Sequence, residues 1–180
     1  MVYSFASPRQ VAGFATTGVE SPVTSITESE LANARADWGN ALIEVSKAFD
    51  ESGIDAAVAA TNKALDALYG YELGPVLFKP TMASEEQFRP TFQSALSYFV
   101  ASNNECPEDS GFAIKGWTEV RFENAGVIVD GIYAITMGNY FFTDQRGVET
   151  KVEYTFGYIQ DEEGRLRIQL HHSSIPASTY

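Results

Sequence analysis

One cysteine, Cys106, and two histidines, His171 and His172, are all that 180 residues offer of the usual metal-binding side chains with nitrogen or sulfur donors. A lone cysteine excludes an intrachain disulfide and any metal motif built on paired cysteines. The histidines are adjacent in an alternating stretch, so their rings point to opposite faces and do not grip one ion. Adding a carboxylate such as Glu153 to one of them gives two ligands, fewer than the three or four of zinc sites. Basic residues are scarce as well: 12 Lys and Arg against 24 Asp and Glu leave a formal charge of −12. That balance argues against nucleic acid or an anionic membrane as partner, because both select a basic footprint. No apolar run approaches the roughly 18 residues of a membrane span. Gly-x-Gly-x-x-Gly, Walker and Gly-x-Ser-x-Gly patterns are missing, which removes dinucleotide, P-loop and nucleophile-elbow chemistry.

What is present predicts one domain with a sizeable core, since 44% of the chain is hydrophobic and 13% aromatic. Residues 1–26 are rich in Ser, Thr, Gly and Ala and read as a flexible N-terminal tail, leaving 27–180 for the domain. Thr27-Glu-Ser-Glu30 is a capping box. Behind it, Leu31, Ala34, Trp38, Leu42, Val45 and Phe49 recur every three or four residues, as one face of a long helix does. Gly53 ends that helix. Ile54, Val58, Thr61, Leu65 and Leu68 continue the period in a second helix, with Gly70 as its stop. Val76 to Thr81 reads as a short strand that Pro80 confines to an edge or an end. A third helix, Phe92 to Val100, carries Phe92, Leu96 and Phe99.

From Gly116 the period becomes two. Strands are expected over Trp117–Phe122, Ile132–Thr143, Val148–Ile159 and Leu166–Ser174, with breaks at 124–126, 144–147 and 161–164. The last two breaks suit hairpins, so the sheet runs antiparallel in chain order. Ile132 to Phe142 is apolar at both parities and needs cover on both faces. The helices supply one cover, and the natural candidate for the other is a second copy of the chain.

The last strand ends in His171-His-Ser-Ser174, stopped by Pro176. Straight alternation puts Leu166, Ile168, Leu170, His172 and Ser174 in the core-facing row, and His171 and Ser173 in the other. A bulge would exchange the two pairs. Polar groups at the end of a buried face need partners, since each one left unpaired costs about 1–3 kcal/mol. Capping of neighbouring backbone meets that need, and so does a binding pocket.

Phe-Lys-Pro-Thr (78–81), Leu-Ser-Tyr-Phe-Val (96–100), Asp-Ser-Gly-Phe-Ala (109–113), Met-Gly-Asn-Tyr-Phe-Phe-Thr (137–143), Val-Glu-Tyr-Thr-Phe-Gly-Tyr (152–158) and His-His-Ser-Ser-Ile-Pro (171–176) together resemble the iota-class carbonic anhydrases. Within them they resemble the metal-free branch of cyanobacteria and algae. The resemblance runs from Glu28 to Pro176. It implies the cone-shaped α+β fold of nuclear transport factor 2 (NTF2), the ketosteroid isomerases and the calmodulin-dependent kinase II association domain. It further implies reversible hydration of CO2 to bicarbonate without metal or other cofactor. A homodimer joined through the outer sheet face is implied too, in a cyanobacterial cell or algal plastid. Carried over by position, the catalytic residues are Thr81, Tyr98, His172 and Ser174. Ser174 and Tyr98 would fix the water, Thr81 would donate to the new bicarbonate oxygen, and His172 would relay the proton. Members assigned a metal tend to carry a longer histidine run, where this chain has Leu170.

Two other readings share the fold. A non-catalytic assembly or small-ligand-binding domain needs the pocket and the dimer face but no turnover. An isomerase or cyclase wants a carboxyl aimed into an apolar pocket, for which Glu153 and Asp109 are the only candidates.

Overall fold

A computed structural model describes residues 25–177, so the expected tail lies outside the described residues up to position 24. Ile26 already belongs to the core: it is buried beside Leu31 in the main apolar cluster. The pair brackets the Thr27 cap as a hydrophobic staple does. Both halves of the capping box form, Glu30 N–H to Thr27 Oγ1 at 3.2 Å and Thr27 N–H to Glu30 Oε2 at 2.8 Å.

Helix α1 spans Glu28–Ser52 and ends at Gly53; α2 spans Ile54–Leu68. Tyr69, extended at φ −105°, leaves α2 one residue before the expected glycine and bridges to Ile168. Strand β1 is short, Leu77–Lys79, and α3 is Phe92–Val100 behind a second capping box at Thr91 and Ser94. Four long strands follow, β2 Trp117–Asp130, β3 Tyr133–Asp144, β4 Glu149–Gln160 and β5 Leu166–Ser174. The sheet order is β1-β5-β4-β3-β2, antiparallel except that β1 lies parallel to β5 at the edge. Pro80 therefore sits where a missing amide proton costs no ladder bond.

The first break expected in the sheet is not a turn. Asn124-Ala-Gly126 is the site of a bulge inside β2, and the chain reverses instead at Gly131. Gly131 has φ +60°, the left-handed conformation that two-residue hairpin loops require. The long, bulged β2–β3 ribbon curls over α1. Trp38 of α1 fills the concavity, its ring 5.4–6.4 Å from Phe122, Tyr140, Phe142, Phe156 and His171. This is the expected α+β cone, with helices on the inner face of a curved sheet.

Candidate active site

The end of β5 decides the site. Pairing with β4 slips by one residue, from Gly157 opposite Leu170 to Tyr158 opposite Ile168, so Gln169 is extra. Upstream of the bulge, Ile168 faces inward, as alternation predicts. Downstream, the parity is exchanged. His171 and Ser173 point inward, 2% and 3% exposed, and stand opposite the inward Phe156 and Tyr154. His172 is exposed and Ser174 half-buried on the outer face, where Ser174 donates to Glu153 at 2.8 Å. The expectation that His172 and Ser174 line the pocket is thus corrected, and the physical reason is one bulge residue.

The other two expected residues lie on the inner side. Thr81 follows β1, whose Phe78 and Lys79 pair with His171 and His172. From there its Oγ1 donates to Ser173 Oγ at 2.8 Å. Tyr98 of α3 is buried, stacked on Phe112 with its ring edge-on to Phe78. Burial raises its pKa well above the ordinary tyrosine range, and the Met82 backbone hydrogen bond offsets only part of that rise. The structure therefore brings Thr81 together with Ser173, sets Tyr98 in the adjoining wall, and leaves His172 and Ser174 behind the sheet.

Two residues beyond the four expected complete the cluster: Tyr140, read in the sequence only as part of an apolar strand, and His171, placed in the outer row unless a bulge exchanged the pairs. The Tyr140 hydroxyl faces Ser173 and Thr81, whose hydroxyls offset only part of the rise in pKa that burial causes. His171 stacks on Phe78, ring centroids 4.6 Å apart, with Phe156 at 4.5 Å and the edge of Trp38 at 5.4 Å. In that aromatic cage burial drives its pKa down to about 3, with the His172 charge a lesser cause, so the imidazole is neutral near pH 7.

A chain of hydrogen bonds fixes which nitrogen of His171 carries the proton. Trp38 Nε1 can only donate, and it donates to Tyr69 Oη at 2.9 Å. Tyr69 Oη lies 2.8 Å from His171 Nδ1 and is itself fully buried. With one lone pair used by the indole, the Tyr69 proton goes to Nδ1, which must accept. The neutral ring therefore carries its proton on Nε2, directed at Tyr140 Oη 3.5 Å away. His171 is a hydrogen-bond donor here and has no free lone pair to act as a base. The signal for Tyr69 was available in the sequence, as an aromatic residue at a helix end next to glycine.

Two loops close over Thr81 and Tyr98. Glu108 accepts from the backbone N–H groups of Ser84, Glu85 and Glu86 at 2.8–3.0 Å, which pulls its pKa down to about 2. Arg89, fully buried, donates to Asp109 at 2.8 Å and to Glu108 at 3.4 Å. Among the described residues, no three His, Cys, Asp or Glu side chains stand close enough together to hold a metal ion. The cluster can orient a small molecule through hydroxyls and one N–H, and none of its groups is charged near neutrality.

A family model described as metal-independent carbonic anhydrase matches residues 29–175. The chain belongs to that family. A metal-independent carbonic anhydrase from Nostoc sp. is 44% identical over 165 residues, 90% of this chain and 80% of that one. An iota-carbonic anhydrase from a cyanobacterium, solved as a complex with bicarbonate, matches with TM-score 0.85 at 43% identity. That likeness covers 89% of this chain and 100% of the other. A putative calcium/calmodulin-dependent kinase II association domain from Xanthomonas campestris shares the fold at TM-score 0.60 and 23% identity, over 93% of this chain and all of its own. An NTF2-like protein from Pseudomonas putida shares it at TM-score 0.52 and 14% identity, over 84% and 88%. As a member of the metal-independent carbonic anhydrases the chain is an enzyme, a lyase, which sets aside the non-catalytic module and the isomerase.

Proposed function

We propose that reversible CO2 hydration takes place at the inner hydroxyl cluster of Thr81, Tyr98, Tyr140 and Ser173, with His171 as a neutral donor. The observation that carries this reading is the part-buried Thr81–Ser173 hydroxyl pair at 2.8 Å, abutting Tyr140 and His171. The bicarbonate bound by the cyanobacterial relative supports a small oxyanion as the occupant. Ser173 and Tyr98 hold the attacking water, since each hydroxyl offers both a donor and an acceptor. Tyr140, which accepts the His171 Nε2–H, donates to the carbon dioxide oxygen that gains charge as the new C–O bond forms, and Thr81 orients Ser173 through their 2.8 Å bond. A preorganised donor of this kind contributes about 10²–10³ in rate. Confinement of the two reactants at contact distance adds to that. His171 does not remove the proton, because its Nδ1 is occupied and its pKa lies near 3.

Stopped-flow CO2 hydration tests the assignment. Thr81→Ala and Ser173→Ala are expected to lower kcat/KM by about 10² or more, while Ser174→Ala stays within about twofold of wild type. The opposite ranking of the two serines would overturn it.

We propose further that a second copy of the chain covers the outer sheet face. Tyr133, Ile135 and Met137 of β3, with Ile128 of β2, form an apolar strip there, each 48–70% exposed. Contiguous apolar surface of this kind on a soluble domain marks an interface, and a sheet face packs readily on its own symmetry mate.

A further inference from the structure

Each CO2 hydrated frees one proton, and the proposed centre has no base to keep it. His171 is neutral with its Nδ1 occupied, and burial holds Tyr98 and Tyr140 protonated. A route outward is needed. Tyr98 lines a small chamber of about 20 Å³, whose other walls are Met82, Glu108, Asp109, Ser110, Phe112 and Lys115. A polar cavity of that size accommodates one water, provided two to four polar partners meet it.

Asp109 brings the decisive partner. Its Oδ1 accepts from Arg89 Nη2 at 2.8 Å, whereas its Oδ2 is buried with no hydrogen-bond partner among the described residues. The side chain is only 3% exposed, so bulk water does not answer that oxygen. Leaving a charged acceptor unanswered costs at least about 1–3 kcal/mol, and a bound water removes the cost. Met82, Ser110 and Lys115 are exposed, so the chamber meets solvent at its rim.

Resting on the carbonic anhydrase reading, we propose that this chamber binds one water and is the exit for the reaction proton, with Asp109 holding that water against Tyr98. After the attacking water has bonded to carbon, its proton passes to Tyr98 Oη while Tyr98 gives its own proton to the chamber water. The tyrosine is neutral before and after. The resulting hydronium, stabilised by the Asp109 carboxylate, passes its proton to solvent or buffer at the rim, and bicarbonate remains. One water and one CO2 have become one bicarbonate and one proton. Asp109 is a positioning residue in this scheme, because it acts through the water.

Asp109→Asn keeps the Oδ1 bond to Arg89 and removes the charge. The expected result is a kcat about tenfold lower with kcat/KM within about twofold, since proton export follows the C–O bond step. Adding imidazole to the assay should restore kcat in a saturable way. A joint fall of kcat and kcat/KM that imidazole leaves unrepaired means a structural role and overturns the proposal. So does an unchanged kcat. If Asp109→Asn does not fold, a high-resolution crystal structure of the wild-type protein decides. Water within hydrogen-bonding distance of both Asp109 Oδ2 and Tyr98 Oη is expected, and a chamber without it overturns the exit. Loss of the wild-type activity itself would strike the hydration reading instead, which keeps the two failures distinct.

Discussion

His171 is held neutral by its aromatic cage, and that makes stability depend on pH. The imidazole has an ordinary pKa near 6.5 in the unfolded chain and about 3 when folded. Between those values the unfolded chain binds the extra proton, so acid favours unfolding. Stability from this group is fully present above about pH 6.5 and is lost as pH falls toward 3. The slope approaches about 1.4 kcal/mol per pH unit for one proton. His171→Gln should lose that slope between pH 6 and 4, read as urea midpoints against pH. It should also be less stable at pH 7 by about 1–3 kcal/mol, because the amide does not replace the ring packed against Phe78, Phe156 and Trp38. A variant with the same acid slope as wild type would mean that His171 is not buried neutral. The residue types of the site were legible in the sequence, but their sidedness was not. Nothing in Ile-Gln-Leu-His-His announces that Gln169 is the extra residue, since the bulge arises from pairing with β4. Trp38 and Tyr140 were read as plain core, and Tyr69 was not singled out, because their polar atoms find partners across α1, the end of α2, β3 and β5.

At the scale of elements, one capping box and the hydrophobic periods located all three helices, and alternation located β3, β4 and β5. The β2–β3 turn was misplaced because Asn124-Ala-Gly126 carries turn-type residues but serves a bulge. Gly131-Ile132 makes the actual reversal. The bulge makes a demand on its partner strand. A methyl group on Gly138 would sit 2.2 Å from the Glu123 carbonyl oxygen and 2.9 Å from the Ala125 nitrogen, both backbone atoms. Neither moves without undoing the bulge. Gly138→Ala is therefore expected to cost about 3 kcal/mol, seen as a lower urea midpoint, where an exposed strand glycine would tolerate alanine. An unchanged midpoint would show that the β2 bulge is not the constraint. The pairing of β1 with β5 was beyond sequence reasoning, since parallel contact between segments some 90 residues apart leaves no local pattern.

On the whole molecule, the cone buries one face of the sheet and leaves an apolar strip on the other. The even apolar character of β3 was visible in the sequence, and its exposed side is now located at Tyr133, Ile135 and Met137. Ile135→Lys with Met137→Lys should convert a dimer to monomer in sedimentation velocity, since two buried charges at an interface without partners are strongly unfavourable. A mass that is already monomeric in wild type, or unchanged in the variant, would contradict the dimer. The larger claim concerns chemistry without a metal ion. Protein unfolded, chelated, refolded and shown by elemental analysis to be free of zinc and other divalent metals should be assayed for CO2 hydration by stopped flow. The account predicts undiminished turnover that added zinc does not raise, whereas activity lost with the metal and regained with zinc would contradict it.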